Sequence, residues 1–204
     1  MKNLTDCKYQ ITNIQIPVEV SARHVHLSKK DNDILFGENY KLKKYHDVSQ
    51  PNQFASVETL IIRSKKKDIK NVRIIAPFRN ETQVEISITD AYNLGIDLPL
   101  VLASGNLKDS SGGIELIGPK GKIKLTSGVI ISQRHLHIEP KLAKEYSIKH
   151  QDNISILIKG NRSIIFNNVL VRSREGIDKL SFQIDTDEGN ACGITKKTKG
   201  FLLK

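Results

Sequence analysis

The sequence predicts a mainly β protein with few short helices, made of two related halves of barrel type. Three observations carry that expectation. Short Val- and Ile-rich segments, often alternating with polar residues, recur along all 204 residues. Turn chemistry separates them. The unusual pattern Ser-x-Arg-His-x-His-apolar occurs twice, in SARHVHLS (21–28) and SQRHLHIE (132–139), and takes four of the six histidines.

The segments that read as strands are VEVSARHVH, TLIIRS, NVRIIAPF, TQVEISI, IELIGP, KIKLTSGVIIS, NISILIKG, SIIFNNVLVRS and LSFQID. KKKD (65–68), GPKGK (118–122) and KGNR (159–162) read as hairpin connections. Two short helices are expected. Ser28 is an N-cap for KKDNDILF, with Asp31 three residues on and Gly37 as the stop. Pro140 opens KLAKEYS, since proline suits the first helical turn. Each copy of the histidine motif therefore runs strand, His-x-His, short helix. The repeat extends further: TQVEISITDAYNLGI (82–96) laid over LSFQIDTDEGNACGI (180–194) pairs Glu85 with Gln183, Ile86 with Ile184 and Gly95 with Gly193.

Composition narrows the function. Hydrophobic residues at 38% and charged residues at 26% fit a globular chain. No apolar run reaches the roughly 18 residues of a membrane helix. The start, MKNLTDCKYQ, has no signal-peptide core, so a cytoplasmic location with reduced Cys7 and Cys192 is expected. The net charge of +10 suits phosphate-bearing ligands. The lysines are dispersed and aromatics make up 5% of the chain, which argues against a nucleic-acid platform.

Residues i and i+2 of a strand share a face. His24 and His26 therefore project together, as do His135 and His137, and each pair is a natural chelate for a divalent ion such as zinc. Val25 and Leu136 point the other way, into a core. Glu85 is the obvious third ligand in the first half. Its counterpart Gln183 is neutral and a poorer ligand. Arg23 and Arg134 are either ordinary solvated arginines or positive charge placed beside the metals.

Several stretches together resemble one family: SARHVHLS, DVSQPNQFA, APFRNETQVEIS, DAYNLGID, ASGNL, LIGPKG, GVIISQRHLH and IDTDEGNAC. From about residue 16 to about residue 192 the chain is similar to the phosphate propanoyltransferases, zinc-dependent phosphotransacylases of propanediol utilisation. The resemblance implies two six-stranded β-barrels with short helical caps, one mainly from residues 23–128 and one from 129–204. The second is completed by an N-terminal strand at about 14–22. It implies the reaction acyl-CoA + phosphate ⇌ acyl phosphate + CoA, two zinc ions per chain between the domains, and a homodimer or larger assembly. It implies His24, His26 and Glu85 as ligands of the first zinc, and His135 and His137 as ligands of the second. Arg79 is implied as the catalytic, phosphate-binding arginine, and Ser104 as a residue of a loop bordering the substrate site.

Two departures stand out. The family completes its second zinc site with a histidine where this chain has Gln183. That leaves weak ligation through the amide, a water in its place, or a second site that is empty or selective for another metal. Members housed in bacterial microcompartments often carry an amphipathic N-terminal extension, and LTDCKYQITNIQ (4–15) shows no apolar stripe, which favours a free cytoplasmic form and leaves a microcompartment open. A short-chain phosphotransacylase taking acetyl or propanoyl groups is the leading expectation. A degenerate paralogue of reduced activity, a metal-dependent thioester hydrolase and a barrel-type nucleic-acid binder follow in that order.

Overall fold

A computed structural model describes residues 9–204. The chain opens with β1 (Ile16–Val20), β2 (His24–His26), α1 (Lys29–Phe36), β3 (Lys44–Asp47), β4 (Phe54–Arg63) and β5 (Asp68–Ala76). It continues through β6 (Gln83–Glu85), α2 (Ile88–Leu94), β7 (Val101–Leu102), β8 (Ile114–Ile117), β9 (Lys122–Leu125) and β10 (Val129–Ser132). The last part holds β11 (His135–His137), α3 (Pro140–Glu145), β12 (Asn153–Ile158), β13 (Ile164–Arg172), β14 (Ser181–Ile184), α4 (Thr186–Cys192) and β15 (Lys199–Leu203). The chain is mainly β with four short helices among the described residues.

It divides into two compact units. Among the described residues, one contains 9–20, 134–184 and 188–204, and the other 21–133 and 185–187. The first unit is a closed six-stranded barrel in the order β1-β14-β11-β13-β12-β15. β1 closes it, parallel to β14 on one side and antiparallel to β15 on the other. Its core is Ile16, Leu136, Ile156, Val169, Val171, Phe182 and Leu202, all at or near zero exposure.

The second unit corrects the expectation of two closed six-stranded barrels. Its nine strands form a curled sheet along β7-β10-β6-β2-β5-β4-β8-β9, with β3 beside β4. The reason lies at the would-be seam. Where β1 and β15 make a ladder in the barrel, the corresponding contact here is one isolated bridge, Ser111 to Val129. A ladder must continue past its first bridge to close a sheet. Here Gly112 and Gly113 follow at once, and a Cβ on Gly112 would stand 2.3 Å from the Thr126 backbone. The core of this unit is Val25, Leu27, Leu35, Ile62, Ile74, Val84, Leu94 and Leu116.

The three expected hairpins join β4 to β5, β8 to β9 and β12 to β13, each pair antiparallel. Two expected strands are broken. VEVSARHVH splits at residues 21–23, where the chain leaves the barrel unit, and KIKLTSGVIIS splits at Gly128, whose φ is +96°. Ser28 caps α1 by accepting from the Asp31 amide, Gly37 ends it, and Pro140 opens α3. α2 and α4 were not anticipated. The signal for α2 is a capping box, Ser87 with Asp90. Gly95 and Gly193, aligned by the repeat, both stand just past these helices with φ near +60°. No helix among the described residues is long and apolar enough to cross a membrane. Cys7 and residues 4–8 of the N-terminal stretch lie outside the described residues, while Gln10 and Thr12 hydrogen-bond along the end of β15.

Candidate metal and substrate site

β2 is three residues long and lies between β5 and β6. Its register with β6 pairs His24 with Glu85, Val25 with Val84 and His26 with Gln83. Paired residues project to the same side of a sheet. Val25 and Val84 therefore enter the core, and His24, His26, Gln83 and Glu85 form a polar square on the other face. All four are buried.

The two histidines are oriented alike. His24 Nδ1 lies 2.9 Å from the Ala22 carbonyl oxygen and His26 Nδ1 lies 3.1 Å from that of Ile75. A carbonyl only accepts, so Nδ1 carries the hydrogen in each ring. In the neutral rings this turns the Nε2 lone pairs toward one point, as in metal-binding histidines whose other ring nitrogen is held by a carbonyl. The Nε2 atoms are 3.2 Å apart, and Glu85 Oε1 stands 3.6 Å from one and 3.7 Å from the other. An ion equidistant from three atoms so separated lies at least about 2.0 Å from each, the length of zinc bonds to imidazole nitrogen and carboxylate oxygen. The donor set, two imidazoles and one carboxylate, is that of a catalytic zinc with an open position. These three residues thus fit a divalent ion and form a buried group that could hold one.

The electrostatics agree. Burial works against charge on Glu85, but His24, His26 and Ser104 outweigh it and hold the carboxyl well below its usual range. Burial also opposes charge on His24, and Glu85 overrides it to raise the imidazole. His26 is pushed well below its ordinary value by burial, reinforced by His24 and Arg79. The square therefore carries one anion and room for about one positive charge, which a proton or a metal can supply.

Arg79 follows β5 and reaches the square from the side. Its Nη2 donates to His26 Nε2 at 2.9 Å and its Nη1 to Ser104 Oγ at 3.0 Å. Burial lowers its pKa from the ordinary arginine value, with Glu85 opposing. Ser104 in turn donates to Glu85 Oε1 at 2.6 Å. Gln83, which sequence reasoning missed, ties this together. Its Nε2 donates to Glu85 Oε1 and to Ser104 Oγ, and its Oε1 accepts from the Gly105 amide at 2.8 Å. Its signal was available, since it stands two residues before Glu85 on the same strand face. Beside Arg79 a cleft of about 550 Å³ is lined by Lys29, Lys30 and Lys124, with Asp31 and Glu81 as its acids.

The barrel unit carries the second pair on the same frame. β11 pairs His135 with Gln183, Leu136 with Phe182 and His137 with Ser181. Leu136 and Phe182 enter the barrel, whereas His135 and His137 face outward yet remain buried. His137 Nδ1 donates to Asp178 Oδ1 at 2.6 Å, and Arg174 holds the same carboxylate through two contacts of 2.8 and 3.0 Å. Burial lowers the His137 pKa to about 4, despite Asp178. Asp178, buried and 41 residues away in sequence, left no local signal.

The alternatives for Arg23 and Arg134 resolve in the same way twice. Arg23 pairs with Asp90 of α2 at 2.8 Å and Arg134 with Glu188 of α4 at 2.7 Å. Asp90 and Glu188 are repeat equivalents, so both arginines tie a His-x-His strand to the helix that follows its partner strand. Cys192 is buried, and burial raises its thiol pKa, as suits a packing residue.

Comparison with known proteins agrees with this picture. The family model for phosphate propanoyltransferase matches residues 17–195. The chain is 48% identical to the phosphate propanoyltransferase of Thermotoga maritima, over 87% of this chain and 83% of that protein. It is 41% identical to that of Clostridioides difficile, over 93% and 89%, and 44% identical to that of Salmonella typhimurium, over 87% and 83%. The chain is thus an enzyme of the acyltransferase class. It belongs to the phosphate propanoyltransferase family.

Proposed function

We propose that the protein interconverts propanoyl-CoA, or a similarly short acyl-CoA, plus phosphate with the acyl phosphate plus CoA. The observation that carries this reading is the buried His24, His26 and Glu85 group with Arg79 hydrogen-bonded into it. A zinc-like ion held by these three residues would supply Lewis acidity toward a carbonyl oxygen or a thiolate sulfur.

Arg79 is the phosphate-binding residue. Its two Nη groups already point at acceptors in the square, and a phosphate can take both N–H groups in a bidentate pair. Ser104 and Gln83 hold Glu85 and fix the loop from which Ser104 reaches in. A phosphate oxygen so held attacks the thioester carbonyl directly. The new C–O bond forms, the C–S bond breaks, and CoA leaves as the thiolate. No protein nucleophile is needed, and Cys192, buried with a raised pKa, is not one. The basic cleft beside Arg79 suits the phosphates of CoA. His135 and His137, with residues of their own sheet face, form a second ion site, and the working protein is a homodimer or larger assembly.

The test is thiol release from propanoyl-CoA and acetyl-CoA, with and without phosphate, with acyl phosphate trapped by hydroxylamine. Release that requires phosphate and yields the hydroxamate is expected. Release without phosphate and without hydroxamate would make the protein a hydrolase.

A further inference from the structure

We infer that Glu19 is the acidic ligand of a second divalent-cation site with His135 and His137, in the place that the repeat gives to Gln183. The inference rests on the reading of the second histidine pair as an ion site. It comes from matching the two sheets strand by strand.

In the curled sheet, β10 runs parallel to β6 and β6 antiparallel to β2, so that Ile130, Glu85 and His24 form one row across three strands. In the barrel, β1 runs parallel to β14 and β14 antiparallel to β11, so that Glu19, Gln183 and His135 form the corresponding row. The strand directions and the row match. Each row contains one carboxylate and one neutral residue, but their order is exchanged. The first row has an apolar outer residue and Glu85 next to the histidine. The second has Glu19 on the outside and Gln183 next to the histidine. The charge has moved over by one strand, a distance of about 4.8 Å.

The Glu19 side chain reaches toward that position. Its Oε2 lies 3.4 Å from Gln183 Nε2 and 3.4 Å from Ser181 Oγ, both residues of β14. Those two residues are the register partners of His135 and His137. The carboxylate thus touches side chains of β14, the strand next to the histidines; among the described residues only His24, His26 and Glu85 already bring three ligand atoms within 4.8 Å of one another, so the second set receives its ion by a turn of its side chains. A neutral set of two imidazoles and an amide binds a divalent ion poorly, and an added carboxylate restores the donor set of the first site. Asp178 accepts from His137 Nδ1 and so fixes the ring with Nε2 free to bind an ion. The ligand class is a borderline-soft divalent ion such as Zn²⁺ or Co²⁺.

The experiment is equilibrium dialysis of the full chain against Zn²⁺ and Co²⁺, with bound metal counted per chain. Two ions are expected for the unmodified protein and one for His135→Ala. Glu19→Gln is expected to lose the second ion or to bind it at least ~10-fold more weakly. Gln183→Ala keeps both ions, and the double variant Glu19→Gln with Gln183→Glu regains the second, which a misfolded barrel could not do. Two ions at unaltered affinity in Glu19→Gln would overturn the role of Glu19 alone. Loss of the second ion in Gln183→Ala but not in Glu19→Gln would do the same and assign the ligand to the amide. A single ion in the unmodified protein, lost in His24→Ala and indifferent to His135→Ala, would overturn the second site and Glu19 together.

Discussion

The two His-x-His strands differ in what stands opposite them. β2 faces Gln83 and Glu85 across β6, and β11 faces Ser181 and Gln183 across β14. Both rest on buried apolar partners, Val25 with Val84 and Leu136 with Phe182, and both are tied to a following helix by an arginine–acid pair. The two halves share the backbone register and the core contacts, which a one-residue slip would destroy. They differ at the outward corners, where Gln83 and Glu85 stand in one half and Ser181 and Gln183 in the other. The first square has its carboxylate built in and clamped by Gln83 and Ser104. The second has a carboxylate for its histidine, Asp178, and draws its other negative charge from β1.

The most direct way to break the contrast is to remove the built-in carboxylate. Glu85→Gln leaves the first row without an acid. Metal affinity at His24 and His26 is expected to fall at least ~100-fold and turnover with it, while the ion at His135 and His137 stays. Arg79→Ala is expected to lower kcat/KM by ~10²–10³ and raise the KM for phosphate with metal content unaltered, because it removes a donor and not a ligand. Unaltered phosphate kinetics would remove Arg79 from the mechanism.

A pH measurement sharpens the other side. His137 titrates near 6.5 when unfolded and at about 4 in the folded, metal-free chain, pushed down by burial and by Arg172 and Arg174 against Asp178. Between these values the unfolded chain binds the extra proton. This contribution is therefore fully present above about pH 6.5 and is lost as pH falls toward 4. Chelator-treated protein is expected to lose on the order of 3 kcal/mol over that window in urea melts, and His137→Gln to lose less. A smaller effect is expected for Asp178→Asn, which keeps the shape but weakens the hold on His137. The second ion's affinity should drop ~10–100-fold while the first is untouched.

Much of the site was legible in the sequence because it lies on short strands. Period two puts His24 with His26 and His135 with His137 on common faces, and the alignment of the repeat picks out Glu85 and Gln183. The same periodicity would have found Gln83. Asp178 and Glu19 were not legible. Asp178 sits in a connection whose path no local pattern fixes. Glu19 reaches β14 only because residues 16–20 pair in parallel with a strand more than 160 residues later, and parallel pairing leaves no turn to mark it. The open sheet was not legible for a different reason. Strand count and spacing suit a barrel, but closure depends on one ladder that here shrinks to the Ser111–Val129 bridge.

The most direct test of the central claim, that the chemistry belongs to the square of His24, His26 and Glu85, is a side-by-side measurement. Metal per chain and phosphate-dependent thiol release from propanoyl-CoA are followed in His24→Ala and His135→Ala. The account predicts that His24→Ala loses one ion and at least ~10³-fold in turnover, and that His135→Ala keeps that ion. A His24→Ala protein that still releases CoA in a phosphate-dependent way at the unmodified rate would contradict it.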